Sequence, residues 1–363
     1  MSWDSLRGFE MKTKKITSPT VLALIATVLS AGASAQTAPS PEATTQHIPV
    51  NALNFVRAET DSYMALFVSQ GYFAKFNHIR VPTPIAQQDV IRMNRDTLYS
   101  GAVFDLTTPV TINMPENEGR FQSMLIINQD HYVVGIEHEG GDYSFTETEA
   151  GTRYIVVVIR TFADANDPAD IEKANRLQDA IRFKQTDVGS FDVPNWERAS
   201  LDRTRGLLNA LTADLPGDLT GAFGAKDEVN PILHFILTGS GWGGNPPVAA
   251  VYSVVAPAGN DGSTPYVITV KDVPVEGFWS ITVYNDDGYM QTNDLDAYSV
   301  NNVTGERNSD GSITVHFGEC IDGRMNCLPI TAGWNYVVRL YRPRDEILDG
   351  SWKFPDLEPA KVE

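Results

Sequence analysis

Short segments rich in β-branched and aromatic residues recur along this 363-residue sequence, and they restrict its fold more than any other feature. Proline, glycine and asparagine separate them, which is the pattern of consecutive short strands joined by turns. From Phe278 to Tyr284, hydroxyl side chains alternate with large apolar ones, as in a strand with one packed face and one wetter face. The predicted strands are residues 98–104, 110–114, 122–127, 132–136, 154–161, 248–255, 265–271, 277–284, 312–317 and 333–341.

Apolar residues at helical spacing predict four helices, before and between the two groups of strands. They cover residues 51–71, 167–183, 194–213 and 229–237. We therefore predict an α+β fold that is mostly β, with two β-rich domains joined by a helical segment. The C-terminal domain is expected to be a β-sandwich or jelly roll. The predicted boundaries are 49–190 for the N-terminal domain, 191–247 for the helical connector and 248–363 for the C-terminal domain.

An export signal is predicted at the N-terminus. Three lysines lie between residues 12 and 15, an apolar run covers residues 21–29, and small residues lead to Ala35. This order of charge, apolar core and small residues is that of a secretory signal peptide. We predict a signal peptide at 1–35, cleaved after Ala35, and hence a periplasmic or secreted protein. An uncleaved membrane anchor is the alternative.

Two further predictions concern this region. The start codon can be Met1 or Met11, because Met11 immediately precedes the lysines. Residues 36–48 are rich in alanine, proline, threonine and glutamine, so we predict a disordered linker there.

The net charge of the chain argues against some classes of binding partner and leaves others. The net charge is −18, and removal of residues 1–35 makes it about −20. Such a surface repels phosphate backbones and anionic lipids, so nucleic acid is not an expected partner. No later segment approaches the ~20 apolar residues needed to span a bilayer, so we expect no stable membrane insertion. A small polar molecule or a glycan is the expected partner, and homo-oligomer formation is left open.

Cys320 and Cys327 are the only cysteines. An oxidising compartment permits a local disulfide between them, which would contribute on the order of 2 kcal/mol; two unpaired thiols are the alternative. Neither a zinc site nor any other metal or cofactor is predicted, because the six histidines form no H-E-x-x-H motif. On one strand, His131 and His138 would point to opposite faces.

The sequence supports neither of two common functional motifs. Gly239, Gly241 and Gly244 match G-x-G-x-x-G, but a helix N-terminus does not follow, so we interpret the segment as a flexible or tightly turned connector. The G-x-S-x-G nucleophile elbow of serine hydrolases is absent.

A first candidate site lies in residues 92–100. In an extended segment Arg92, Asn94 and Asp96 share one face and present a cation, an amide and a carboxylate in a row. Asp96 is a candidate base if it is partly desolvated. The alternative is a buried structural network that joins a loop to the sheet.

A second candidate site is an aromatic and amide-rich set in the C-terminal domain. Flat aromatic faces with amides and an arginine beside them suit hydroxylated ligands, although aromatic residues of a sandwich more often pack in its core. The residues selected as ligand-binding candidates are Trp279, Tyr298, Asn302, Trp334 and Arg339.

The sequence resembles two families of unknown function. Residues 93–100 and 127–132 are similar to the DUF1254 domain, and residues 270–280, 297–302, 310–312, 333–343 and 347–352 are similar to the DUF1214 domain. The resemblance implies a two-domain, β-rich exported bacterial protein. It also implies a jelly-roll-like C-terminal domain with a loose likeness to peptide:N-glycanase folds. No established catalytic residues accompany it.

The resulting hypothesis is a hydrolase or lyase acting on a polar small molecule or glycan in a cleft between the domains. Asp96 would be the acid or base, Arg92 an anion clamp and His131 a proton carrier, with Asn94, Tyr99 and Asp130 as further ligand-binding residues. A non-catalytic binding protein and a structural envelope component are the rival hypotheses. The catalytic hypothesis requires Asp96 and His131 to meet in one cleft.

Overall fold

A computed structural model describes residues 47–88, 92–212, 214–215, 219–320 and 323–360. The predicted signal peptide and most of the predicted linker lie outside these residues. Export, cleavage after Ala35 and the choice of start codon therefore stay predictions. The described residues belong to one compact unit. Below, the N-terminal half means residues 47–185 and the C-terminal half means residues 250–360.

The described residues of the N-terminal half form three helices and eight strands. They are α1 (Phe55–Ser69), β1 (Asn77–His78), β2 (Thr97–Asp105), β3 (Val110–Met114), β4 (Gln122–Asn128), β5 (Val133–Glu137), β6 (Gly141–Phe145), α2 (Glu147–Ala150), β7 (Tyr154–Phe162), α3 (Pro168–Ala180) and β8 (Arg182–Gln185).

The remainder contains the helical segment and the C-terminal half. Its elements are α4 (Arg198–Thr212), α5 (Pro231–Gly241), β9 (Ala250–Val255), β10 (Tyr266–Val270), β11 (Trp279–Tyr284), β12 (Ser299–Asn301), β13 (Ile313–Phe317), β14 (Cys327–Leu328), β15 (Asn335–Tyr341), α6 (Asp345–Leu348) and β16 (Glu358–Pro359).

A five-stranded antiparallel sheet with the order β1-β2-β7-β4-β5 forms the centre of the N-terminal half. Strand β7 lies in the middle because its run of valine and isoleucine is apolar on both faces. One face packs on a second sheet, β6-β3-β8, through residues such as Phe104, Ile112 and Val157. The other face packs on α1 through Met64 and Val103. Each such buried side chain stabilises the fold by about 1.5–3 kcal/mol.

Helices α1, α4 and α5 share an apolar cluster that includes Phe55, Leu208 and Ile236. Helix α5 contains Gly239 and Gly241, so the interpretation of this glycine-rich stretch as a connector is wrong for its first part. The reason is packing, since a Cβ on Gly239 would lie 3.2 Å from the Cβ of Leu208 on α4. The stretch lies at the C-terminal end of helix α5, and no helix starts in the described residues directly after it. This agrees with the conclusion that the G-x-G-x-x-G match is not a dinucleotide-binding motif.

The C-terminal half is a β-sandwich of two four-stranded sheets, β12-β11-β15-β9 and β14-β13-β10-β16. Their facing sides share one core that includes Ile281, Val315 and Val338. All strand pairs are antiparallel except β13 with β14. The predicted fold class, mostly β with two β-rich parts and a helical segment between them, is confirmed. The predicted domain boundaries stay predictions.

Strand β11 corrects one expectation. Its hydroxyl-bearing face was predicted to be wetter, but all six residues of the strand are buried. The apolar side chains enter the sandwich core, and the alternate residues Ser280, Thr282 and Tyr284 lie on the opposite face. Because Tyr284 bonds to residue Met93, this second face is covered by the N-terminal half. The polar face of β11 therefore forms a junction between the two halves.

Candidate functional site

Two neighbouring regions join the halves. We call the first the seam: the buried contact between residues 92–97 and the polar face of strands β11, β12 and β15. We call the second the cleft: an open space of about 900 Å³ lined by residues of both halves. Every sequence-predicted site residue is located below relative to these two regions.

Arg339 on β15 organises the seam. It is buried, and its Nη1 donates to the Thr282 hydroxyl at 3.0 Å. Its Nη2 donates to the Tyr284 hydroxyl at 2.7 Å and to the Arg92 carbonyl at 2.8 Å. Burial opposes the charge on the guanidinium, but Tyr284 and Tyr341 beside it raise the pKa of Arg339 above its ordinary value. Arg339 is therefore a permanent buried cation.

Asp96 is the carboxylate of the seam and is only 2% exposed. Its Oδ1 accepts from the Ser299 hydroxyl at 3.1 Å and from Asn301 Nδ2 at 3.3 Å. Its Oδ2 is buried, and no described residue donates to it. The negative charge of Asp96 and the positive charge of Arg339 attract each other without forming one of the salt bridges found among the described residues.

Asn94 ties the loop to both halves. Its Nδ2 donates to the Tyr341 hydroxyl at 2.7 Å and to the Thr97 hydroxyl at 3.2 Å, while its Oδ1 accepts from the Asp96 backbone N–H at 2.6 Å. The side chains of Asn94 and Asp96 thus lie in one network with Arg339 from the second predicted set, whereas Arg92 contributes its backbone carbonyl. With a φ of 54° at Arg92, the segment is not the extended row that was predicted. The contacts are those of the alternative interpretation, a buried network that fixes a loop.

His131 is not part of this network. Thr97 pairs with Phe162 at one end of β7, whereas Asn128 pairs with Ile155 near the other end. His131 follows Asn128 in a tight turn with a φ of 62°. A nine-residue strand is about 26 Å long, so Asp96 and His131 lie at opposite ends of the sheet. The structure does not bring the predicted catalytic pair together.

The imidazole of His131 is fully engaged where it is. The Gly243 N–H donates to Nε2 at 2.9 Å. The Thr238 hydroxyl lies 3.0 Å from Nδ1 and itself donates to the His234 carbonyl, so the hydrogen is on Nδ1. Burial, and secondarily His234, lowers the pKa of His131 to about 3. A permanently neutral ring with both nitrogens bonded holds a turn against α5 and does not carry protons.

The other predicted ligand-binding residues have structural contacts. Trp279 and Trp334 lie in the sandwich core, and the Asn302 side chain accepts from the Trp279 backbone N–H at 2.7 Å. The Tyr298 ring is buried, with the Arg95 guanidinium 5.2 Å above it. None of these aromatic side chains forms an open shelf.

Two further candidates lie outside the seam. Tyr99 lies under the buried guanidinium of Arg160, which is 5.5 Å from its ring centre and donates to Asn245 Oδ1 at 3.1 Å. Asp130 forms a salt bridge of 2.7 Å with Arg57 on α1. Both side chains brace elements of the N-terminal half.

Cys320 and Cys327 form a disulfide, with their Cα atoms 5.6 Å apart. The bond closes the loop between β13 and β14 in the outer sheet of the sandwich. Among the residues that the structure describes, no three His, Cys, Asp or Glu side chains are placed to hold a metal ion. No helix in that part of the chain combines the length and hydropathy needed to cross a membrane.

The cleft has an aromatic floor. The Phe121 ring lies 5.0 Å from Phe278 and 5.3 Å from Tyr341, and Phe278 stacks on Tyr341 at 4.4 Å. Gly277 permits this approach, because a Cβ there would meet the Tyr341 carbonyl oxygen at 2.7 Å and the Phe121 ring at 3.0 Å. Since Asn94 donates to the Tyr341 hydroxyl, the floor of the cleft is the outer wall of the seam.

The rim of the cleft is charged. Arg120 forms a bidentate ion pair with Asp170 on α3, and it also donates to the Phe162 carbonyl at 2.8 Å. Arg342 of the C-terminal half lies 3.1 Å from both Glu139 and Glu276, so it joins the two halves across the cleft. Arg120 holds the pKa of Asp170 below its ordinary value.

His138 is the imidazole of the cleft. Its Nδ1 lies 3.2 Å from the Gln122 carbonyl, which can only accept, so Nδ1 carries the hydrogen and Nε2 keeps its lone pair. Burial, with Arg342 as a second cause, lowers the pKa of His138, so the ring is neutral at pH 7. A neutral imidazole with one oriented nitrogen and one basic nitrogen can accept a proton or a ligand hydrogen bond.

Sequence reasoning missed the residues that build the cleft. Phe121 and His138 flank a predicted strand pair that begins at Gln122, and Arg342 follows another predicted strand, but no local spacing connects these residues. Their one sequence signal is the density of polar and ionisable residues at 128–139. The cleft itself appears only once the halves are packed together.

Two families match the chain. "Protein of unknown function (DUF1254)" matches residues 73–185, and "Protein of unknown function (DUF1214)" matches residues 255–345. The two matches together cover more than half of the sequence. A comparison with curated proteins found no match.

Solved structures extend the likeness to the fold. The VPA0106 protein from Vibrio parahaemolyticus is 19% identical with a TM-score of 0.64, covering 85% of this chain and 98% of its own. A putative uncharacterized protein from Burkholderia cenocepacia is 16% identical with a TM-score of 0.49, covering 85% of this chain and 88% of its own. The first of these shows that the fold is shared along nearly the whole relative.

Proposed function

The chain belongs to the DUF1254/DUF1214 family, and we propose that it binds a small polar molecule in the cleft between its halves. The observation that carries this proposal is the cleft itself. It has about 900 Å³ of space, an aromatic floor and a rim of charged side chains from both halves. Ligand sites are typically concave, of 300–1,000 Å³, and placed at the junction of structural units.

The proposal keeps the predicted location of the site and replaces its residues. Asp96, Asn94 and Arg339 lie in the seam, behind the aromatic floor of the cleft. They are buried and hydrogen-bonded to residues of the seam. Phe121, Gln122 and His138 face the space in front of it. We favour a binding function over a catalytic one because Asp96 and His131, the predicted catalytic pair, lie at opposite ends of the sheet.

A ligand screen on the purified protein tests the proposal. We expect the midpoint of thermal unfolding to rise with at least one compound of a panel of sugars, amines, amino acids and small carboxylates. Calorimetry then gives the affinity, and Phe121→Ala should reduce it at least tenfold. Phe73→Ala, at a partly buried phenylalanine that packs by α1 away from the cleft, is the matched control. Binding that is unchanged in Phe121→Ala contradicts the proposal.

A hydrolase or lyase is the second candidate, and the geometry of His138 favours it. With Nδ1 bonded to the Gln122 carbonyl, Nε2 is available as a general base toward a ligand in the cleft. The test is turnover of ester, amide and glycoside panels by the wild type and by His138→Gln. An enzyme of this kind loses activity in His138→Gln and keeps it in Asp96→Asn variants that remain folded. Equal turnover in wild type and His138→Gln excludes this role.

A further inference from the structure

We propose that the ligand of the cleft is a small organic cation that carries an ammonium or guanidinium group. The inference rests on the proposed function and names the chemical class that the cleft would select. Three separate observations point to it: the charge of the lining, an unpaired buried acceptor, and the aromatic floor.

The lining carries more negative than positive charge. Seven carboxylates and four cationic side chains surround the space, and the neutral His138 adds no positive charge. Arg120 is held by Asp170, and Arg342 is held by Glu139 and Glu276. Glu116 and Glu118 at the rim take part in none of the ion pairs found in the described ranges. The cleft therefore attracts cations over a distance of about one Debye length, roughly 8–10 Å.

Gln122 supplies a hydrogen-bond acceptor without a donor. This residue lines the cleft, yet its side chain is only 1% exposed. Its Nε2 donates to the Thr161 hydroxyl at 3.0 Å, while no described residue donates to its Oε1. A buried unpaired acceptor is unfavourable, and a ligand N–H would satisfy it.

The floor suits the same ligand. Phe121 is the partly exposed ring of the aromatic cluster, and Phe162 and Phe278, which also line the cleft, are buried beside it. The face of an aromatic ring is negative, so it attracts an ammonium or guanidinium group placed over it. Anionic ligands gain nothing from these rings and are repelled by the carboxylates. The three features favour one class of ligand.

Three probes of equal length and different charge test the inference on the purified protein. They are 1,4-diaminobutane, 1,4-butanediol and succinate, measured by calorimetry at low and moderate salt. We expect the diamine to bind at least tenfold more tightly than the diol, and succinate not to bind. Binding of the diamine should weaken severalfold as salt increases, because the rim charges are screened.

Variants at Gln122 separate the site from unspecific attraction to an acidic protein. Gln122→Glu keeps the shape and adds a charge, so diamine affinity should rise about tenfold. Gln122→Met removes the acceptor, so affinity should fall about fivefold. Glu118→Gln should lower affinity about twofold, a typical effect for one exposed charge. Asp227→Asn, at an exposed aspartate of the helical segment, should change nothing.

The outcomes distinguish the inference from the proposed function. If the diol or succinate binds more tightly than the diamine, and binding depends on Phe121, the cleft is a binding site but not for cations. If diamine binding is indifferent to Gln122→Glu, Gln122→Met and Phe121→Ala, the attraction is unspecific and the inference is overturned. If no probe and no compound of the wider panel binds, the proposed function fails as well.

Discussion

The seam and the cleft join the same two halves with opposite chemistry. In the seam, buried hydrogen bonds converge on Arg339 and Asn94, and every partner comes from a defined strand or loop. In the cleft, the corresponding junction is made by Arg342 with the exposed carboxylates Glu139 and Glu276. A buried junction fixes the halves, whereas an exposed one leaves space and charge available for a ligand. Polar residues at a junction between domains are therefore not sufficient to indicate a site.

The largest expected difference is between two nearby arginines, Arg339 in strand β15 and Arg342 just after its last residue. Arg339→Met leaves the Arg92 carbonyl, the Tyr284 hydroxyl and Thr282 without their donor, so we expect a loss of about 3–5 kcal/mol in the free energy of unfolding. Arg342→Met removes two ion pairs with exposed carboxylates and should cost about 0–1 kcal/mol. Urea denaturation followed by tryptophan fluorescence measures both. Similar losses for the two variants would break the comparison.

A smaller difference is expected between two asparagines. Asn94→Ala deletes two donated hydrogen bonds and one accepted bond inside the seam, which should cost about 2–3 kcal/mol. Asn117 at the cleft donates to the His138 carbonyl at 2.9 Å and is partly exposed, so Asn117→Ala should cost about 1 kcal/mol or less. The same denaturation assay ranks the pair. If Asn117→Ala lost as much stability as Asn94→Ala, or more, the seam would not be the main stabilising contact between the two halves.

The smallest effect concerns pH. Arg120 lowers the pKa of Asp170 in the folded protein, so this pair stabilises the fold above the unfolded pKa near 4. The stabilisation is lost as pH falls through the lower folded value. Asp170→Asn should cost about 1 kcal/mol at pH 7 and progressively less below pH 4. Unfolding free energies from pH 2 to 7 for wild type and variant give the difference. A cost independent of pH would contradict the assignment.

Local sequence patterns predicted most of the fold. The run of valine and isoleucine in β7 and the proline and asparagine that begin α5 act within a few residues of themselves, so pattern reasoning locates them. Strands β6 and β8 were not predicted, because they are only five and four residues long and are held in place by pairing with β3. The glycine-rich stretch was misinterpreted because Gly239 packs against Leu208 on another helix and Gly241 against Phe223, contacts that local sequence does not indicate.

The site was predicted less well, for a physical reason. Residues 92–96 were predicted to form a row of polar side chains, but whether such a row is accessible to solvent or buried depends on what covers it. The cover comes from Tyr284 and Arg339, about two hundred positions or more along the chain. His131 was paired with Asp96 because both are ionisable, and the register of β4 on β7 separates them. Distances of this kind follow from topology, which single-residue patterns do not contain.

The seam joins residues that are far apart in the sequence, which has a consequence for folding during synthesis. The loop at residues 92–97 accepts hydrogen bonds from Tyr284 and Arg339 and donates one to Tyr341, partners separated from it by as many as 247 positions. While the chain is being synthesised, this loop emerges long before the strand that anchors it. Nascent chains interrupted before Arg339 lack the contacts with Arg339 and Tyr341, and their loop keeps bonds within the N-terminal half, such as that from the Thr83 hydroxyl to the Asn94 carbonyl. The seam can therefore form in full only after strand β15 has been synthesised.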